Sequence, residues 1–149
     1  MDEKREKFLA KLRETFQVEA EEHLAAITAG LVAMERSGGQ ERVELVERVF
    51  REAHSLKGAA RSVSLPTVEA LCKELESIFS ATKRGELDLS TERLDAIHPA
   101  LGVLATLCSS PAGQRSPADA EQDRAVLAAL RQIALSASPA SVADTPPTA

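Results

Sequence analysis

Residues 46–63 carry the sequence VERVFREAHSLKGAARSV, in which apolar side chains return every three or four positions. Side chains with this spacing lie on one face of an α-helix. We therefore predict an amphipathic helix whose apolar face packs in the core of the protein, while His54 lies on a face that borders it. The apolar positions are Val46, Val49, Ala53, Leu56, Ala60 and Val63.

The same helical spacing recurs on both sides of this stretch, and no segment of the sequence shows sustained strand alternation. Breaks are predicted at 37–39 (Ser-Gly-Gly), at 64–66 (Ser-Leu-Pro), at 83–85 (Lys-Arg-Gly) and at 109–113, which divides the chain into five helices with short connections. Short connections favour antiparallel neighbours. The sequence thus predicts an all-α fold, an antiparallel four-helix bundle with a fifth helix packed alongside. The apolar faces of the other helices are Phe8, Leu12, Phe16, Ala20, Leu24, Ile27, Leu31 and Met34; Val68, Leu71, Cys72, Leu75, Ile78, Phe79 and Thr82; Leu94, Ile97, Leu101, Leu104 and Cys108; and Val126, Leu127, Leu130 and Ile133.

Serine and proline mark the ends of these helices. Ser90 and Ser116 are predicted to cap the fourth and fifth helices, because a serine hydroxyl accepts a hydrogen bond from a free N–H of the first turn. Pro99 lies inside the fourth helix and predicts a kink. After Leu135 the sequence is rich in Ser, Ala, Thr and Pro and loses its periodicity. We predict a five-helix domain over residues 1–135 and a linker or disordered tail over 136–149, as expected of an N-terminal module of a longer protein.

Composition excludes several classes of function. The 149 residues include 18 basic and 23 acidic side chains, no Trp and no Tyr, so neither a basic surface nor stacking aromatics predict binding to nucleic acid. No apolar run approaches the roughly 18 residues of a membrane span, so we expect no membrane insertion. The two cysteines, Cys72 and Cys108, lack metal-ligand spacing and are predicted to be small buried residues of a cytoplasmic protein. No metal site is expected.

His54 stands in unusual surroundings for a helix surface. Gly58 follows one turn later, although glycine costs about 1 kcal/mol relative to alanine in a helix interior. Arg51, Lys57 and Arg61 place three positive charges on the same face, where a phosphate on His54 would find charge-assisted donors. The alternative is a boundary histidine on a solvated helix with a chance glycine and ordinary surface cations. Spacing alone does not decide between these interpretations.

The run 53–60, Ala-His-Ser-Leu-Lys-Gly-Ala-Ala, resembles the phosphorylation-site signature of histidine-containing phosphotransfer (HPt) domains, most closely the version at the N-terminus of CheA-type and hybrid sensor histidine kinases. The resemblance extends from about Phe8 to Ile133, with five helices in the same order. It implies that His54 accepts a phosphoryl group from ATP bound to a separate kinase domain and passes it to an aspartate of a receiver domain. By the same resemblance, Lys57 balances the phosphate charge and Gly58 clears space beside the ring.

Glu76 matches the glutamate whose carboxylate accepts a hydrogen bond from the phosphorylatable histidine of the family. A carboxylate that holds the proton on Nδ1 leaves the lone pair of Nε2 free for attack. The alternative is a solvated surface carboxylate. Two positions depart from the family pattern, since Arg61 stands where glycine is usual and Lys73 where histidine is common; with Arg51 we assign them a supporting role. His23 and His98 are expected to be structural or exposed.

The sequence contains no Gly-rich phosphate loop and no acidic metal-binding pattern of a nucleotide site. The domain is therefore predicted to be a phosphoryl carrier without its own ATP site, so that its classification as an enzyme stays uncertain. It would bind no cofactor, because ATP and Mg²⁺ belong to the separate kinase domain of a parent histidine kinase in a two-component or chemotaxis-like pathway. The expected partners are that catalytic domain and a response-regulator receiver domain. Alternatives are a free-standing HPt relay protein and a helical adaptor that has lost phosphotransfer.

Overall fold

Five α-helices and no strands make up the part of the chain that the computed structural model describes, residues 2–110 and 115–138. The helices are α1 (Asp2–Met34), α2 (Gly39–Ser62), α3 (Pro66–Lys83), α4 (Thr91–Ser109) and α5 (Pro117–Leu135). The predicted all-α class is confirmed. The predicted break at 109–113 lies mostly outside the described residues, since 111–114 are not among them.

The first four helices pack as an antiparallel bundle and the fifth covers one side of it. α2 lies between α1 and α3, α4 contacts α1 and α3, and α5 packs against α3 and α4. The apolar faces meet in one core, whose largest fully buried side chains include Ile27, Leu31, Leu56, Leu75 and Phe79. The predicted face of α2 is buried from Val46 to Ala60, as its three- and four-residue spacing requires.

The ends of the helices follow the turn chemistry of the sequence. The hydroxyl of Ser90 accepts a hydrogen bond from the backbone N–H of Arg93 at 3.3 Å. Ser116 and Asp119 form a capping box, in which each side chain accepts from the backbone N–H of the other residue, at 3.1 and 3.0 Å. Both predicted caps are confirmed. Gly85 ends α3 with a φ of +74°, a left-handed conformation that favours glycine.

The first turns of α1 differ from the prediction that the apolar face continues to Phe8. Phe8 is 63% exposed and the first buried side chain is Phe16. Leu9 and Leu12 lie beside Val63, in the turn where α2 ends. Among residues 2–110 and 115–138, no other helix covers the preceding turns of α1, whose side chains are all exposed. The helix therefore extends past the bundle.

The other end of the described chain returns to the bundle. The backbone N–H of Ser138 donates to the carbonyl of Glu86 at 2.8 Å, and Ala137 packs against the core. The first residues of the predicted tail thus contact the connection between α3 and α4, whereas 139–149 lie outside the described residues. α4 continues through Pro99 as one helix, and the kink there stays a prediction. None of the described helices combines the length and hydropathy that crossing a membrane requires.

Both cysteines lie in the core, as predicted. Burial raises the pKa of the Cys72 thiol far above its ordinary value and that of Cys108 to about 12. The two thiols therefore stay neutral and serve as small apolar side chains.

Candidate functional site

The antiparallel packing of α2 and α3 brings His54 opposite Glu76. Nδ1 of the imidazole lies 2.9 Å from Oε1 of the carboxylate, and the histidine side chain is 64% exposed. An ionised carboxylate only accepts hydrogen bonds, so this contact assigns the ring proton to Nδ1 and leaves Nε2 with its lone pair. The structure thus brings together the two residues that the sequence interpretation assigned to one site.

Glu76 is more enclosed than a surface carboxylate. Its side chain is only 17% exposed, and Oε2, which is shielded from solvent, lies 2.6 Å from Nζ of Lys57. Burial raises the pKa of Glu76, but the hydrogen bonds and positive charges of Lys57 and His54 oppose it, with the result that the pKa of this carboxyl lies below its ordinary value. The carboxylate is therefore ionised at neutral pH and available to His54.

Lys57 contacts a neighbouring carboxylate in the structure. The resemblance assigns it to the phosphate charge, whereas in the structure its ammonium group contacts Glu76. Three side chains on two helices thus form a chain of contacts, His54 to Glu76 to Lys57. Sequence spacing placed Lys57 near His54 on α2 but did not predict that both side chains share one carboxylate.

Gly58 leaves the surface of α2 open one turn after His54. A Cβ atom built on this glycine meets no other atom within 4 Å, apart from its own helix backbone and its chain neighbours. Neither helix packing nor a left-handed conformation therefore requires glycine at this position. The open surface agrees with the predicted role in access to the imidazole.

Two of the three supporting cations, Arg61 and Arg51, lie beside carboxylates of α3 and α2. Arg61 binds Glu69, with 2.7 Å between the guanidinium and carboxylate groups, and Arg51 lies 3.7 Å from Glu47. Lys73 is exposed and lines a shallow groove of about 380 Å³ between α2 and α3, together with Glu76. The structure places all three on the α2–α3 surface around His54 and gives none of them a contact with the ring.

A second histidine–carboxylate pair, absent from the sequence interpretation, joins α1 to α2. Nδ1 of His23 lies 2.6 Å from Oε1 of Glu52, so this histidine is structural, as expected, but has a specific partner. Lys83 likewise contacts Glu47 at 2.7 Å and lies over the ring of Phe50, 4.4 Å from its centre. Such pairs depend on the register between two antiparallel helices. The spacing of residues within each helix does not predict that register.

Comparison with known proteins identifies the family to which this chain is similar. The model of the Hpt domain family matches residues 11–134. Chemotaxis protein CheA of Klebsiella aerogenes is 28% identical over 134 residues, which cover 90% of this chain and 20% of that protein. Chemotaxis protein CheA of Halobacterium salinarum is 30% identical over 84 residues, 56% of this chain and 12% of that protein. Sensor histidine kinase CheAY of Helicobacter pylori is 26% identical over 99 residues, 66% of this chain and 12% of that protein. The chain thus spans only 12–20% of the length of these relatives.

Proposed function

The chain belongs to the Hpt domain family, the histidine-containing phosphotransfer domains of two-component signalling, and on this basis we propose that His54 is its phosphoacceptor. The observation that carries the proposal is the contact between Nδ1 of His54 and Glu76 on an exposed helix face. It leaves Nε2 as the nucleophilic atom of a ring that a partner protein can reach.

The proposed transfer has two steps. In the first, the Nε2 lone pair attacks the γ-phosphorus of ATP on a kinase domain, and the bond to ADP breaks with its electron pair on the ADP oxygen. The Nδ1 proton stays on the ring, whose new positive charge faces the Glu76 carboxylate. In the second, a receiver aspartate oxygen attacks the phosphorus, the N–P bond breaks, and the electron pair returns to Nε2.

The neighbouring residues have separate roles in this proposal. Glu76 orients the ring and stabilises the charge that develops on it. Lys57 keeps Glu76 ionised, and its own positive charge partly offsets the negative charge that the phosphoryl group brings to the site. Gly58 leaves room for the approaching kinase and receiver. Arg51, Arg61 and Lys73 supply positive charge on the surrounding surface, which favours acidic or phosphate-bearing partners.

The parent protein and its partners follow from the relatives. Several are named CheA, and one is named a sensor histidine kinase. We propose that this domain belongs to a histidine kinase of a chemotaxis-like pathway and exchanges phosphoryl groups with that kinase's catalytic domain and a response-regulator receiver. ATP and Mg²⁺ are assigned to the catalytic domain and no cofactor to this one. Because the donor is ATP, the relay is placed in the cytoplasm.

The test is labelling of the chain by the ATP-loaded catalytic domain of its cognate kinase. We expect an acid-labile, base-stable phosphate, as a phosphoramidate gives, which is lost in His54→Gln with helical content unchanged. His98→Gln, a histidine change on α4, is the matched control and should retain the label. Label that persists in His54→Gln, or that maps to Ser55, would contradict the proposal.

A further inference from the structure

The charges of α1 are divided between its two halves. Residues 2–13 contain five basic and three acidic side chains, whereas residues 14–35 contain five acidic and no basic side chains. Basic side chains are thus concentrated in the part of α1 that precedes its first buried side chain, Phe16, and acidic side chains in the part that packs in the bundle. Two such helices attract each other when they lie antiparallel, since each basic half then faces an acidic half.

A row of exposed positions, here called the seam, runs along the side of α1 that faces away from the bundle. Positions separated alternately by four and three residues are all exposed there, which is the a/d spacing of helices that pair as a coiled coil. Phe8 and Val18, two of the large exposed apolar side chains of the protein, lie on this seam at 63% and 59% exposure. Because the core-facing positions of α1 begin at Phe16 and lie on the other side of the helix, the bundle does not use this seam. The seam comprises Lys4, Phe8, Lys11, Thr15, Val18 and Glu22.

We propose that this seam binds a second copy of the chain through antiparallel pairing of the two α1 helices. In the register that opposes a and d positions, Phe8 meets Val18 of the partner subunit and Lys4 meets Glu22 of the partner subunit. Lys7 then lies beside Glu21 of the partner subunit on one flank. Arg5 lies beside Glu19 of the partner subunit on the other, and the two-fold axis repeats every pair.

The side chains that this register joins are available for it. Lys4, Arg5, Lys7, Glu19, Glu21 and Glu22 are exposed, and none forms an ion pair with another residue of the ranges 2–110 and 115–138. An anionic lipid surface fits the seam less well, because the seam continues from its basic end to Glu22 within the acidic half. A parallel pair of helices would place like charges together. Only the antiparallel second copy places opposite charges against both the basic and the acidic half of α1.

The dimer should be weak and sensitive to salt, because exposed ion pairs contribute little each and are screened by salt. Sedimentation of the full chain over a range of concentrations measures it. We expect a concentration-dependent dimer whose Kd rises about tenfold or more between 0.05 and 1 M NaCl. A chain that stays monomeric at low salt and binds phosphatidylserine vesicles would overturn the proposal in favour of a lipid surface; a monomer that binds neither also overturns it.

Charge reversal on each half gives the decisive comparison. The triple variants K4E/R5E/K7E and E19K/E21K/E22K should each be monomeric, since every pair becomes repulsive. An equimolar mixture should dimerise with at least the affinity of the unchanged chain, because each altered half then faces its complement. The matched control E35K/E41K/E44K changes three exposed glutamates outside the seam and should still dimerise. A mixture that stays monomeric would overturn the proposal.

Cross-linking tests the register. Cys72 and Cys108 are buried, so cysteines introduced at the surface react selectively. Under mild oxidation a mixture of F8C and V18C should form a mixed disulfide dimer. F8C alone should not, because two copies of position 8 lie ten residues apart in this register, about 15 Å along the helix axis. Cross-linking of F8C to itself at an equal rate would contradict the antiparallel register. These changes leave His54 untouched, and its labelling should not change.

Discussion

At the scale of single residues, Glu76 connects the nucleophile to a half-buried positive charge, the ammonium group of Lys57. One oxygen accepts from the His54 ring and the other contacts the Lys57 ammonium group. Since the carboxylate cannot donate a hydrogen bond, the tautomer of the imidazole depends on Glu76 staying ionised. The Lys57 contact thus acts on His54 indirectly, through the charge state of Glu76.

Glu76→Ala should slow phosphorylation of His54 by roughly tenfold or more, because a charge-assisted hydrogen bond contributes about 1.5–3 kcal/mol. The measurement is the initial rate of labelling by the kinase domain, with ¹⁵N chemical shifts of the ring reporting loss of the Nδ1–H preference. Glu69→Ala is the control: it removes another carboxylate of α3, one that contacts Arg61 and not His54, and should leave both readouts unchanged. Equal rates for the two variants would show that Glu76 does not orient the ring.

Lys57→Met should raise the pKa of Glu76. Burial of the carboxyl remains, while the hydrogen bond and positive charge that hold its pKa below the ordinary value are lost. A carboxyl group whose pKa is lowered by folding stabilises the folded state at pH values above its ordinary pKa, and this stabilisation disappears as the pH falls through the folded-state pKa. The Lys57→Met variant lacks this contribution, so it should be less stable than the unchanged chain near neutral pH. The ¹³C titration of the Glu76 carboxyl measures the shift.

The matched control for this change is Lys73→Met, which removes a lysine from the same groove that has no ion pair with Glu76. It should leave the Glu76 titration in place. An unchanged Glu76 pKa in Lys57→Met would mean that the short contact does not persist in solution. In that case the charge of Lys57 would be free to act on the phosphoryl group directly.

At the scale of the helices, two glycines that both lie inside a helix differ in packing. A Cβ atom on Gly30 of α1 would lie 2.5 Å from Cγ1 of Val49 on α2, so this glycine allows the two helices to approach closely. Val49 cannot easily move away, since a β-branched side chain in a helix has one preferred rotamer. A Cβ atom on Gly58 of α2 would instead point into open space.

Gly30→Ala should therefore destabilise the protein, although alanine is the better helix former. Overpacking costs about 1–3 kcal/mol, which exceeds the gain of about 1 kcal/mol in helix propensity. Gly58→Ala should give that gain without the cost and stabilise the protein by up to about 1 kcal/mol. Chemical denaturation of both variants measures the difference. A gain in both would mean that α1 and α2 separate freely at Gly30.

The sequence predicted the helices better than the contacts between them. Periodicity in α2 and α3 identified the buried side chains because burial of a helix face is a local property of the spacing. It did not show that α1 extends beyond the ends of the helices beside it, so Phe8 was placed in the core-facing set although it is exposed. It also did not contain the register that pairs Lys57 with Glu76 and His23 with Glu52. The His54–Glu76 contact was predicted only through the family resemblance.

At the scale of the whole molecule, the two ends of the described chain contribute unequally to stability. The side chains of residues 2–10 are all exposed, and the family match begins at residue 11. α5, in contrast, buries Val126, Leu130 and Ile133 against α3 and α4. The bundle is therefore complete without the first turns of α1 but not without its fifth helix.

Deletion of residues 2–10 should change the free energy of unfolding by no more than about 0.5 kcal/mol, as expected for exposed side chains, and should leave His54 phosphorylation unchanged. Deletion of residues 116–149 removes three buried side chains worth about 1.5–3 kcal/mol each, a loss comparable to the whole stability of a small domain. Circular dichroism melts of the two truncated chains test this contrast. The N-terminal deletion should also abolish the α1 pairing, because it removes Phe8 and the basic residues that face the acidic half of the second copy. A melting temperature that falls equally in both chains would mean that the extended end of α1 is buried in solution, in which case the seam proposed for a second copy would be occupied within one chain.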